Sequence, residues 1–122
     1  MAKIVLIGLE HAEAGQICRA LGTDDHRIEH HTQHVDPQAF ADADLVFAGG
    51  DPAQYLSLLS RVRDASPTLP VVVVTRIPDT NHWLDALEAG ARDYCSLPIV
   101  TPHLHWIVES ALPRTRAVAV AA

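Results

Sequence analysis

The residues able to do chemistry fall into three sets. Eight histidines are many for 122 residues, and His26, His30, His31 and His34 crowd into one stretch. Imidazoles at that density raise the question of a metal or a pH-responsive surface, because histidine titrates near neutral pH and is a common zinc ligand. On a strand, His26 and His30 share one face while His31 takes the other. Two imidazoles without a cysteine or carboxylate pair at zinc spacing make no cage, so no metal is expected. The cluster reads as a solvated strand edge and loop, although its protonation would push a formal charge of −6 toward positive. Cys18 and Cys95 lie far apart without CxxC spacing, and each reads as a small buried hydrophobe, not half of a disulfide. The third set, Glu10, Asp51 and Thr75, follows directly on apolar runs.

Those runs are the elements that must position the third set. Residues 3–8, 44–49 and 70–75 are short, β-branched and without polar alternation, as expected of parallel strands covered on both faces. Residues 92–95 make a further short strand and 26–31 a weaker one. Between them run helical patterns. Ala14, Ile17, Cys18 and Leu21 recur at steps of three and four before Gly22. Asp51-Pro52 starts a helix, since Asp accepts from free amides and Pro suits the first position, and Leu56, Leu59 and Val62 form its stripe up to Ser66-Pro67. Leu84, Leu87 and Ala91 follow Asp79-Thr80, with Gly90 near that helix's end. Thr101-Pro102 opens a last helix with Leu104, Ile107, Val108 and Ala111 inward, and Asp36-Pro37 opens a short one before the third strand.

Five β–α units favour an α/β fold, a doubly wound parallel sheet with right-handed crossovers. Ligands of such sheets meet the carboxyl ends of the strands. Here those ends are Gly8-Leu9-Glu10, Gly49-Gly50-Asp51, Thr75-Arg76 and Ser96-Leu97-Pro98. The length suits one domain, read as residues 1–112, with 113–122 as a tail or linker stub. An acidic chain with no long Lys/Arg run lacks the cationic footprint of a nucleic-acid binder. No apolar stretch nears the roughly 20 residues that span a bilayer, and no signal-peptide layout is present, so a soluble cytoplasmic protein is expected.

The stretch 84–98, LDALEAGARDYCSLP, resembles the fourth helix and fifth strand of response-regulator receiver (CheY-like) domains, whose usual text is A-x-x-A-G-A-x-D-Y-L-x-K-P. Residues 44–48 resemble the third strand of that family and 70–75 the fourth, and the similarity spans about residues 3–112. The resemblance implies a flavodoxin-like sheet of five strands in the order 2-1-3-4-5 with five helices, and a cis Leu97–Pro98 bond. It also implies phosphoryl transfer to an aspartate at the tip of the third strand. That reaction needs carboxylates for Mg²⁺, a hydroxyl, and a lysine for the phosphoryl oxygens.

Carried onto this chain, the nucleophile falls on Gly49, or on Ala48 by another alignment, and the acidic pair on Gly8-Leu9 with Glu10 beside it. The hydroxyl falls on Thr75 and the lysine on Leu97. The expectation is a pseudo-receiver: no enzyme, no cofactor, no metal, acting in two-component signalling through protein contacts. The partner would be an output domain, a kinase or a second copy. The resemblance implies a contact face formed by the fourth helix, fifth strand and fifth helix. Trp83 and Tyr94 fall there, as does Trp106, which lies opposite its helix's apolar stripe. Two alternatives stay open. A longer third strand would bring Asp51 into the nucleophile position, and a similar doubly wound domain could bind a small ligand, although GxGxxG and DxHxxG are both missing.

Overall fold

The fold was obtained as a computed structural model that describes residues 2–21, 26–31, 38, 42–77, 79–98 and 100–112. Its elements alternate: β1 Lys3–Ile7, α1 His11–Ala20, β2 Arg27–His31, β3 Leu45–Ala48, α2 Pro52–Ala65, β4 Val71–Thr75, α3 Thr80–Glu88, β5 Asp93–Ser96 and α4 Thr101–Ala111. The strands form one sheet in the order β2-β1-β3-β4-β5, and every neighbouring pair is parallel. This is the expected α/β topology. Four helices lie among the described residues. The short helix expected from Asp36-Pro37, the Gly22 helix stop, His34 and the tail 113–122 lie outside them.

Because successive strand residues point to opposite faces, the sheet splits the core in two. Ile4, Leu6, Leu45, Phe47, Val72 and Val74 pack with Ile17 of α1 and Leu104, Ile107 and Val108 of α4. Val5, Ile7, Val46, Val71 and Val73 pack on the other face with Tyr55, Leu58, Leu59 and Val62 of α2. β1, β3 and most of β4 are thus covered on both sides, which explains their unbroken apolar text.

Three helix faces depart from the sequence pattern. In α1 Ile17 and Leu21 take the sheet side, and Cys18 is exposed, contrary to its expected burial. Cys95 is buried as expected, and burial pushes its thiol up to about 12. In α2 the buried stripe includes Tyr55 and Leu58, and Leu56 only flanks it. The largest departure is α3. Leu84 and Leu87 were expected inside, yet they are 45% and 36% exposed, and Ala86 is the buried residue of that helix. The alanine side, Ala86 and Ala89, meets the sheet because small side chains let a short helix approach closely. The leucines, at helical spacing from Trp83, form with it an outward apolar strip, and Ile77 in the preceding loop is exposed as well.

Candidate functional site

Register fixes which residues share the carboxyl edge. Ile7 pairs with Ala48, Ala48 with Val73 and Val73 with Tyr94. One step on, the chain leaves β1 at Gly8 and β3 at Gly49, and beside them runs the end of β4. Gly8 (φ 77°) and Gly50 (φ 100°) turn the chain in the left-handed region that a side chain disfavours. The edge opens into a cleft of ≈ 530 Å³ lined by Glu10, Glu13, Asp51, Gln54, Thr75 and Arg76 among others.

The side chains of this edge are already engaged. Leu9 is buried, and a β-carbon built on Gly49 would collide with Leu9 Cδ2, with Gly8 O also only 3.3 Å away. Leu9 therefore occupies the volume that a side chain at position 49 would need. Asp51 is the N-cap of α2: its Oδ1 accepts from the Gln54 amide at 2.9 Å, and Gln54 Oε1 accepts from the Asp51 amide at 2.9 Å. This reciprocal pair satisfies two free donors of the first turn, as the Asp51-Pro52 text led one to expect. Thr75 Oγ1 donates to Ile77 O at 3.3 Å and accepts from the Ile77 amide at 3.2 Å, a local turn contact. Leu97 packs its side chain on the α1/α4 side of the core, its amide donates to Thr75 O, and its bond to Pro98 is cis.

The cation of this edge was missed by sequence reasoning. Arg76 Nη2 donates to Glu10 Oε1, and Arg76 Nε lies 2.9 Å from Glu13 Oε2 as an ion pair. The other oxygen of Glu13 accepts from the Glu10 amide at 3.0 Å, so both its oxygens are used. Glu13 is nearly buried, with a side chain 11% exposed, while Glu10 and Arg76 remain open to solvent. The Glu10-x-x-Glu13 spacing at a helix start is the signal that flags Glu13. Arg76 carried none beyond its place after Thr75. Asp79 caps α3 through the His82 amide at 3.1 Å, with the His82 ring 4.0 Å from the same carboxylate.

The divalent ion implied by the receiver resemblance does not fit these residues. Gly8 and Leu9 offer no carboxylate, and the two acids nearest them are bound by a guanidinium. Among the described residues no three His, Cys, Asp or Glu side chains are grouped to hold a metal ion. The histidines are engaged one by one instead. His30 Nε2 donates to Leu9 O at 2.9 Å, His31 meets Glu29 at 3.3 Å, and His26 Nδ1 accepts from the Ala2 amide at 3.3 Å.

The aromatic residues expected at a contact face lie where β5 runs between α3 and α4. Trp106 is 61% exposed and stacks edge-on against His103, and Trp83 is 41% exposed. Tyr94 is turned inward against Tyr55, ring centres 6.5 Å apart in an edge-to-face pair. The apolar strip of α3 extends this face beyond the residues the sequence had marked.

Among the described residues no helix is long and apolar enough to cross a membrane. No protein-family model matches the chain. Against curated proteins it is 30% identical over 61 residues to the transcriptional regulatory protein ZraR of Salmonella typhimurium, a match covering 50% of this chain and only 14% of that protein. Among solved structures it superposes with TM-score 0.83 on a response regulator receiver domain protein from Clostridium thermocellum, at 20% identity over 97% of this chain and 99% of the other. It superposes with TM-score 0.80 on the beryllofluoride-activated NtrC4 receiver domain dimer, at 13% identity over 92% of this chain and 97% of that one. With the strand order and the edge geometry, these likenesses establish that the chain has the fold of CheY-like response-regulator receiver domains.

Proposed function

We propose that this chain is a cytoplasmic regulatory domain of two-component signalling that works by protein contact and without phosphorylation, a receiver scaffold whose reaction centre has been replaced. One observation carries the reading: the position aligned with the phosphoacceptor is a glycine, and the space over it, where a β-carbon would meet Leu9 Cδ2, is taken by the Leu9 side chain. Three others support it. Thr75 spends its hydroxyl on the turn to Ile77, Leu97 at the aligned lysine position packs partly buried against the apolar core, and Asp51 is committed to capping α2. Burying several carboxylates at such an edge without a counter-ion raises the energy of the resting fold, so apolar replacements stabilise it.

Under this reading the output is a surface. The face of α3, β5 and α4 presents Trp83, Leu84, Leu87 and Trp106, large apolar side chains of the kind that anchor interfaces. Its partner is an output domain, a kinase or a second copy; the NtrC4 receiver it resembles is described as a dimer. The domain is taken as residues 1–112, with 113–122 as a tail or linker stub.

The deciding experiment is incubation with acetyl phosphate, or with beryllofluoride and Mg²⁺, followed by intact-mass and ¹⁹F NMR measurement. The expected result is an unmodified mass and no bound fluoride signal. A stoichiometric adduct on Asp51 would overturn the proposal. Sedimentation and partner capture with Trp106→Ala test the surface: both should weaken, and unchanged values would remove Trp106 from it.

A further inference from the structure

We infer that the Arg76 guanidinium is the resident cation of the strand-edge cleft. It holds Glu10 and Glu13 as a divalent ion would, and so makes the edge indifferent to Mg²⁺. The reasoning starts from charge. Glu10, Glu13, Asp51 and Asp79 all line the cleft, and among the described residues lining it Arg76 is the one arginine or lysine. Asp51 and Asp79 accept from amides of α2 and α3. The other two are Glu10, the N-cap residue of α1, and Glu13 in its first turn, two neighbouring carboxylates whose mutual repulsion a cation offsets. Arg76 supplies it from the end of β4 through two separate nitrogens, one to each acid. A guanidinium is planar, permanently charged and forked, so it can meet both carboxylates in fixed directions as a point charge could not.

Burial makes this more than a solvated ion pair. The Glu13 side chain is 11% exposed, and its second oxygen is taken by the Glu10 amide. A carboxylate withdrawn from water to that degree needs a partner, and Arg76 provides the charge for it. The bridge has a mechanical result as well. It ties the first turn of α1 to the junction between β4 and α3, next to the exposed Ile77 and ahead of α3 with its exposed Trp83, Leu84 and Leu87. The tether therefore sets the position of the segment leading into the proposed contact face, and does so whether or not a metal is present.

The inference rests on the preceding reading of the cleft as one that runs without phosphorylation, but its test is separate. Amide spectra of the ¹⁵N-labelled chain would be followed in millimolar MgCl₂ against NaCl of matched ionic strength. Wild type should respond identically to both salts. Arg76→Gln should gain saturable, Mg²⁺-specific shifts at the Glu10 to Glu13 amides, together with a melting temperature that Mg²⁺ raises. Arg76→Lys should show Mg²⁺ shifts weaker than those of Arg76→Gln but above wild type, because it keeps a tethered charge and loses the fork that reaches both acids. Saturable Mg²⁺ shifts in wild type, or none in Arg76→Gln, would overturn the inference. A beryllofluoride adduct on Asp51 would sink the phosphorylation-independent reading instead, so the two failures are told apart by mass.

Discussion

Gly49→Asp, the substitution that places an aspartate at the aligned position, is expected to give no phosphoacceptor and to lower stability by roughly 2–5 kcal/mol. The first cause is steric. The new β-carbon collides with Leu9 Cδ2 and comes within 3.1 Å of Leu9 Cγ, and forcing extra atoms into a packed site costs about 1–3 kcal/mol. The second is electrostatic. The new carboxylate would face the Gly8 carbonyl, 3.3 Å from its β-carbon, and would compete with solvent for donors. Gly49 has no positive φ, so backbone strain adds nothing to the loss.

Urea unfolding reads the stability change and intact mass after beryllofluoride treatment reads the chemistry. A double-mutant cycle isolates the mechanism. Leu9→Ala removes a buried side chain and destabilises on its own, yet it also removes the colliding atoms, so the pair should cost less than the sum of the singles by about 1–3 kcal/mol. Strict additivity would show that Leu9 is not what closes the position. A Gly49→Asp protein as stable as wild type and readily phosphorylated would mean that the edge accommodates an aspartate after all.

How far these features could be read beforehand depended on how local their causes are. β1, β3 and β4 were plain in the sequence because strands buried on both faces carry continuous Val, Ile and Leu. The N-caps at Asp51 and Asp79 were equally plain, since each bond spans three residues. The aligned positions Gly8, Leu9, Gly49 and Leu97 were legible only through the receiver resemblance of residues 84–98, which aligns the strand tips. What stayed hidden is tertiary. Arg76 meets Glu10 across 66 residues of chain, and no spacing rule reaches that far. The contact of Leu9 with Gly49 depends on two strands lying side by side. In α3 the leucines outrank the alanines in hydropathy, so the pattern pointed them inward. A short helix set close against the sheet buried Ala86 instead, and the leucines were left for a surface. Cys18 lost its expected burial in the same way, to Ile17 and Leu21.

The second large effect is expected at Tyr55, where two substitutions separate packing from polarity. Tyr55 is among the largest fully buried side chains and supports the α2 face of the core against Tyr94. Tyr55→Ala should therefore cost roughly 3–5 kcal/mol, the range for emptying a buried aromatic site. Tyr55→Phe should cost nothing and stabilise by up to about 1 kcal/mol. The hydroxyls of Tyr55 and Tyr94 are both buried without a hydrogen-bond partner among the described residues, and removing an unsatisfied group relieves its desolvation cost.

The same hydroxyl predicts an alkaline signature. Burial, helped by Tyr94, pushes the Tyr55 phenol from 10.0 up to about 12. Between those values the unfolded chain releases this proton while the folded chain keeps it, so its contribution is complete below pH 10.0 and is lost as pH rises toward about 12. Cys95, raised by burial from 9.0 to about 12, adds a slope of the same sign that begins lower. Urea midpoints measured across that range should fall for wild type and fall less for Tyr55→Phe, which lacks the phenol's share. If Tyr55→Phe loses stability at neutral pH, or follows the wild-type slope above pH 10.0, then the phenol is hydrogen-bonded or solvated in the folded state, and the inward Tyr94 is held by more than packing.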